Sequence, residues 1–136
     1  MTGFIQAYIK NPTRSIRLVN KASGTVTVPN YVLVETSGLA VDASSGATTA
    51  TIVGVSNQAI SAADALTQVP VIEIFPEDVW LVDCANNSNV LHNGQLMVLS
   101  NAYTVNNTGT TNPAGVVKQV DVFGATTDKK ILVKFV

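Results

Sequence analysis

The side chains best suited to metal chemistry lie in and around one apolar stretch, residues 69–84. Glu77 and Asp78 are adjacent, and Asp83 follows shortly after them. Hard divalent cations bind clustered carboxylate oxygens, so these three acids are the candidates for a metal site. Because Glu77 and Asp78 directly follow Pro76, they are also typical of a solvated turn, and we adopt that interpretation. We therefore predict no metal and no other cofactor.

Nucleophilic catalysis would have to use His92 or Cys84, each the only residue of its type. No Gly-x-Ser-x-Gly motif presents a serine to His92, which we place on the flank of a hairpin. Cys84 ends an apolar strand and has no base near it in sequence, so we expect a buried and unreactive thiol. The chain also lacks a phosphate-binding loop, Gly-x-Gly-x-x-Gly and a zinc spacing. We predict that it is not an enzyme.

The amino-acid composition of the chain bears on which kinds of molecule it could bind. The 136 residues carry 12% charged side chains and a net charge of -1, with no cluster of Lys and Arg interleaved with aromatics. Such a chain has no field to attract nucleic acid or an anionic membrane. No stretch approaches the roughly eighteen apolar residues of a membrane span, and the N-terminus lacks the pattern of a signal peptide. One cysteine fits synthesis in a reducing compartment. We expect neither nucleic acid nor membrane as partner.

Short apolar runs separated by turns predict an all-β protein. Signals such as Ser37-Gly38 and Ser45-Gly46 recur at intervals of about ten residues, a spacing typical of sandwiches and barrels. We predict one small antiparallel β-sandwich or barrel, similar to a jelly roll or β-tulip, at residues 14–136. An N-terminal arm or edge strand precedes it at residues 1–13. The one candidate helix is short, residues 61–66, where Ser61 can cap the N-terminus.

Residues 69–84 should form the central pair of strands, broken at Pro76-Glu77-Asp78. We expect Trp80 to fill the core, with a role as an exposed binding platform as the alternative.

Three further local patterns make structural predictions. Residues 14–20 should form a half-buried strand, with Ile16 and Leu18 facing one way and Arg17 and Val19 the other. Asn93-Gly94 is typical of a type I′ hairpin turn, since both residues tolerate positive φ. Residues 106–115 are uncharged and rich in Asn and Thr, and we expect a mobile surface loop.

The charges segregate along the chain. Residues 1–21 carry only basic charges, residues 22–117 carry only acidic ones, and the tail holds four lysines and two aspartates. The basic termini can pair with the acidic middle inside one subunit. Alternatively, a basic arm reaches the acidic region of a neighbouring subunit or partner, where charge complementarity fixes register. The acidic counterpart candidates are Glu73, Glu77, Asp78 and Asp83.

The sequence resembles the small capsid decoration, or cement, proteins of tailed bacteriophages. The matching residues are Gly38-Leu39-Ala40-Val41-Asp42-Ala43, Thr51-Ile52-Val53-Gly54-Val55, Val69-Pro70-Val71-Ile72 before an acidic aromatic strand, and Ala114-Gly115-Val116-Val117 before a closing hairpin. The resemblance covers most of the chain after residue 20.

The resemblance implies a non-catalytic virion protein, made in the host cytoplasm, that sits on the outer capsid surface and bridges major capsid proteins. It also implies a symmetric homo-oligomer, often a trimer. We expect the N-terminal arm to contact the capsid or a neighbouring subunit, and its deletion, residues 1–12, to leave the fold intact. The alternative is that the arm is the first strand of its own sheet. The contact candidates are Phe4, Ile5, Tyr8, Ile9, Lys10, Arg14 and Arg17.

A second candidate function is a phage fibre, spike or tail module. Such a module would bind a receptor or glycan, and residues 106–115 would then form its binding tip.

Overall fold

The protein is an all-β molecule of two sheets, as its turn spacing predicts. The computed structural model describes residues 3–8, 16–21, 27–61, 67–108 and 110–136. The strands are β1 Ile5–Tyr8, β2 Ile16–Asn20, β3 Val32–Thr36, β4 Leu39–Asp42, β5 Ile52–Ser56, β6 Gln68–Ile72, β7 Val79–Cys84, β8 Leu96–Asn101, β9 Thr104–Asn106, β10 Val117–Phe123 and β11 Lys130–Phe135. Within the described residues there is no α-helix, only the 3₁₀ turns Val90–His92 and Thr126–Asp128. The predicted helix at 61–66 lies almost wholly outside them.

The two sheets form a sandwich-like arrangement. One has six strands in the order β1-β7-β11-β10-β8-β9, and β9 also pairs in parallel with β7, so that five of its strands form a ring. The other has five antiparallel strands in the order β2-β6-β5-β3-β4. The sheets are joined where the Val32 N–H donates to the Ala102 carbonyl over 2.8 Å and where Tyr31 stacks on Tyr103 at 4.7 Å.

The predicted central stretch does form two strands, but they are not partners. β6 belongs to the five-stranded sheet and β7 to the six-stranded one. The turn at Pro76 therefore carries the chain between the sheets instead of closing a hairpin. β7 pairs with β1, β9 and β11, which leaves neither of its edges to β6.

Each face of the five-stranded sheet packs on a separate core, so its strands have apolar residues at successive positions. Val32 on β3 and Ile72 on β6 face the core between the sheets, while their neighbours Leu33 and Val71 face a second, smaller core. The core between the sheets includes Phe4, Val32, Val55, Ile72, Trp80, Val82, Cys84, Ile131 and Val133. The predictions that Trp80 and Cys84 are buried are confirmed.

The strand predicted at 14–20 is observed at β2, where the two pairs of side chains do face opposite ways. Val19, opposite Val69 of β6, packs on the second core. Ile16 and Leu18, on the other side of the strand, are 49% and 61% exposed. The reason is that β2 lies at the edge of its sheet, where the register with β6 sets which side is covered.

The Asn93-Gly94 prediction is wrong in turn type. Asn93 has φ -56° and ψ 132°, Gly94 has φ 86°, and the Gln95 N–H donates to the His92 carbonyl over 3.0 Å, which is a type II turn. A 3₁₀ turn, not a strand, precedes it. The Gln119 side chain accounts for the difference, because its Nε2 donates to Asn93 Oδ1 over 2.8 Å and holds that residue in place.

Candidate functional site

The predicted N-terminal contact residues are divided between the core and the surface. Phe4 is 1% exposed, its ring lies 5.2 Å from that of Phe135, and its N–H donates to the Asn30 carbonyl over 2.7 Å. Ile5 lies on β1 opposite Leu81 of β7, and the Tyr8 backbone lies opposite Val79. The described part of the arm is therefore an edge strand of the subunit's own sheet.

The expectation that deleting residues 1–12 leaves the fold intact is contradicted by this placement. Deletion would remove Phe4 from the core and β1 from β7. Arg17, on β2, is exposed and donates from Nη2 to the Val53 carbonyl over 3.1 Å. Ile9, Lys10 and Arg14 lie outside the described residues.

The four acidic candidates occupy different environments. Asp78 is fully buried, Glu73 is half-buried and Glu77 is exposed. Asp83 lies on β7 and forms an ion pair with Lys130 of β11, with 2.6 Å between Oδ1 and Nζ. This pair joins the acidic middle to the basic tail inside one subunit. In the described ranges, no group of three or more His, Cys, Asp or Glu side chains is placed to hold a metal ion.

Cys84 is a free thiol buried in the core. Burial, and to a lesser extent the neighbouring Asp83 carboxylate, raise the pKa of its thiol to about 11 against the opposing effect of Lys129 and Lys130. The Sγ–H donates to the Asn86 carbonyl over 3.2 Å. A thiol held in this way is a small core side chain.

Trp80 is a core residue and not a binding platform. Its side chain is fully buried and meets Phe135 edge-to-face, with 5.9 Å between the ring centroids. The alternative role of an exposed platform is therefore wrong.

The most exposed large apolar side chain among the described residues is Leu91, at 80% exposure, next to Val90 at 55%. Both lie in the 3₁₀ turn Val90–His92, the segment predicted to flank a hairpin at Asn93-Gly94. The available signal was two successive apolar residues between the Asn-rich loop 86–89 and Asn93-Gly94.

The Leu91 turn is held from two sides. Asn89 Oδ1 accepts a hydrogen bond from the Leu91 N–H over 2.9 Å, which caps the turn. From β10, Gln119, itself 1% exposed, donates from Nε2 to both the Asn89 carbonyl and Asn93 Oδ1 over 2.8 Å. Leu91 is thus presented to solvent on a fixed backbone.

The surroundings of Leu91 are polar and uncharged. Residues 85–117 contain no Asp, Glu, Lys or Arg. A cavity of about 490 Å³ beside the turn is lined by Asn87, Ser88, Asn89, Val90, His92, Val122 and Thr126. The side chains that line this cavity are thus apolar or polar and uncharged.

The loop at 106–115, the candidate receptor-binding tip, is tied to the body where it is described. Asn107 is 2% exposed, and the Asn112 N–H donates to the Leu96 carbonyl over 2.9 Å. The expectation of a mobile surface loop therefore does not hold at these two residues.

The sequence matches no protein-family model and no curated protein. None of the helical segments in the described residues is long and apolar enough to cross a membrane.

Proposed function

We propose that the chain is a structural, non-catalytic virion protein that binds the outer surface of a tailed-phage capsid and stabilises it by bridging major capsid proteins. The resemblance to capsid decoration proteins motivates this function. Two of the resembling segments lie on adjoining strands of the five-stranded sheet, Ile52–Val55 of one on β5 and Val69–Ile72 on β6.

The observation that carries the proposal is the fixed exposure of Leu91. A leucine at 80% exposure contributes little to the core of its own subunit. Burying a leucine side chain in a partner stabilises a complex by about 1.5–3 kcal/mol. Because hydrogen bonds from Asn89 and Gln119 already fix the turn, little conformational entropy is lost when it binds.

A contact of this size is weak alone and strong when repeated. Several copies of one site on a rigid homo-oligomer raise the effective concentration and increase avidity by roughly 10²- to 10⁴-fold. The partner is then the major capsid protein, and the location is the capsid surface of the virion.

The test is the addition of purified protein to isolated capsids that lack it, followed by cosedimentation. We expect saturable binding by the wild type and at least tenfold weaker binding by Leu91→Asp. The matched control is Leu18→Asp, which places the same charge at a leucine that is 61% exposed on β2 and should bind normally. Absence of wild-type binding would overturn the function, whereas equal binding by Leu91→Asp would overturn the contact.

A further inference from the structure

Asn93-Gly94 is the only asparagine-glycine pair in the chain. Asparagine is thermolabile because the next backbone nitrogen can attack its side-chain amide, and glycine, which has no side chain, hinders that attack least. The Gly94 nitrogen forms a bond to Asn93 Cγ, and the side-chain NH₂ leaves as ammonia with the Gly94 N–H proton. Water then opens the cyclic imide at either carbonyl carbon, which gives Asp or its isomer isoAsp.

Gln119, on β10, holds both reacting groups. Its Nε2 donates to Asn93 Oδ1 over 2.8 Å, and its backbone carbonyl accepts from the Gly94 N–H over 2.8 Å. This second hydrogen bond directs the Gly94 N–H towards Gln119 and has to break before the nitrogen can attack Asn93 Cγ. Nε2 also donates to the Asn89 carbonyl over 2.8 Å, which fixes the Gln119 side chain in place.

The backbone of the turn also opposes the reaction. Ring closure needs the Gly94 nitrogen to eclipse the Cα–Cβ bond of Asn93, so that the ring atoms become nearly coplanar. At the observed ψ of 132° the nitrogen is rotated well away from that position. Gly94, at φ 86°, completes a type II turn that the Gln95 N–H closes by donating to the His92 carbonyl. Rotation about ψ of Asn93 would disrupt this turn and the bond from Gly94 to Gln119.

Burial does not account for the protection of this pair. Asn93 and Gly94 are both exposed, so water and base can reach them. Gln119 is 1% exposed and reaches the turn from below. The unreactive geometry therefore depends on hydrogen bonds to one buried residue.

We infer that Asn93 is a self-modification site that Gln119 keeps unreactive in the folded protein. When the turn opens, or when the Gln119 side chain is lost, Asn93 converts to Asp and isoAsp. An exposed turn opens locally at a lower free energy than the whole domain unfolds, so the site reports on local opening. The chemistry takes place within one chain and is independent of capsid binding.

Peptide mapping by mass spectrometry measures the conversion, which exchanges an NH group for oxygen, during incubation in mildly alkaline buffer. Gln119→Met keeps the length of the side chain but loses both hydrogen bonds that Nε2 donates. We expect this variant to convert Asn93 about tenfold faster than the wild type. If it does not fold, Gln119→Glu, which turns a carboxylate oxygen towards Asn93 Oδ1, should show the same increase. A folded variant with the wild-type rate would overturn the inference.

The wild type provides a comparison that needs no variant. We expect Asn93 to convert at least tenfold faster in guanidinium chloride than in the folded protein, because the unfolded chain has neither hydrogen bond to Gln119. Asn112 is the control within the same digest, since the Pro113 nitrogen carries no proton and cannot close the ring. Equal rates at Asn93 in both conditions would show that the fold gives no protection.

The conversion also bears on capsid binding, a consequence that rests on the proposed function. It places a carboxylate two residues from Leu91, within residues 85–117, which contain no Asp, Glu, Lys or Arg. Asn93→Asp reproduces the product and can still accept from Gln119 Nε2, and we expect roughly tenfold weaker cosedimentation with capsids. Wild-type affinity in this variant would overturn the consequence. Absence of wild-type binding would remove the proposed function and leave the mass-spectrometric result standing.

Discussion

The Asn107 side chain and the Asn86 backbone form a reciprocal pair of hydrogen bonds. Asn107 Oδ1 accepts from the Asn86 N–H over 2.8 Å, and Asn107 Nδ2 donates to the Asn86 carbonyl over 3.1 Å and to the Asn87 carbonyl over 3.3 Å. In return, Asn86 Nδ2 donates to the Asn107 carbonyl over 3.3 Å. This clamp holds the loop after β7 against the loop after β9, and Asn107 itself is 2% exposed.

Replacing Asn107 should destabilise the fold strongly. Asn107→Ala leaves one N–H and two carbonyl groups without their partner, which costs about 2–4 kcal/mol of unfolding free energy. Asn107→Asp keeps the shape but turns a carboxylate oxygen toward two carbonyls, so it should cost at least as much at neutral pH. Urea unfolding followed by tryptophan fluorescence measures both. The control, Asn112→Ala, alters an exposed asparagine whose Oδ1 accepts from the Ala114 N–H, and a loss as large there would contradict the account.

Shortening the Phe4 side chain should lower the stability of the fold, and any loss of binding should follow from that. Phe4→Ala removes a buried ring that packs on Phe135, and large-to-small changes of this kind cost about 3–5 kcal/mol. Thermal unfolding should show a marked drop in Tm, while Ile16→Ala, at a residue 49% exposed, should leave Tm within a degree or two. If Phe4→Ala were as stable as wild type, β1 would not be part of the folded subunit.

The raised pKa of the Cys84 thiol makes the stability of the fold depend on pH in the alkaline range. Its pKa in the folded state, about 11, lies above the roughly 8.5 of an unfolded thiol, so the unfolded chain loses this proton first. Stability from this group is complete below about pH 8.5 and is lost as pH rises towards 11. As pH rises across that range, the unfolding free energy of the wild type should fall relative to that of Cys84→Ala. A difference independent of pH would contradict the raised pKa.

The same thiol should react slowly while the protein is folded. At pH 8 a pKa near 11 lowers the thiolate fraction by roughly 200-fold relative to an unfolded cysteine of pKa about 8.5, and burial slows access further. Labelling with a thiol reagent, with and without urea, measures this ratio. Equal rates in both conditions would show that Cys84 is exposed in the native protein.

Local patterns predicted the strands well and their partners poorly. The runs before and after Pro76 are strands, because β-branched and aromatic residues suit a pleated surface wherever it lies. Their assignment to different sheets depends on hydrogen bonds between residues far apart in sequence. β7 pairs with β11 about fifty residues later, as in the ion pair of Asp83 with Lys130. No short window of sequence contains that information.

The exposure of surface residues likewise depends on contacts that local sequence patterns do not contain. The alternation of Ile16 and Leu18 with Arg17 and Val19 is local, but which side of β2 is covered follows from its edge position and its register with β6. The exposure of Leu91 depends on Gln119, a residue of β10 that reaches under the turn. Solvent exposure is a property of packing, so sequence pattern alone does not determine it.

The sequence by itself determined the all-β class and the burial of Trp80 and Cys84, because composition, turn spacing and apolar runs act over a few residues. The tertiary structure alone decided that Phe4 belongs to the core, that the acidic candidates are dispersed, and that Leu91 faces solvent. These features arise from strand order and register, which are set by contacts between residues that are distant along the chain.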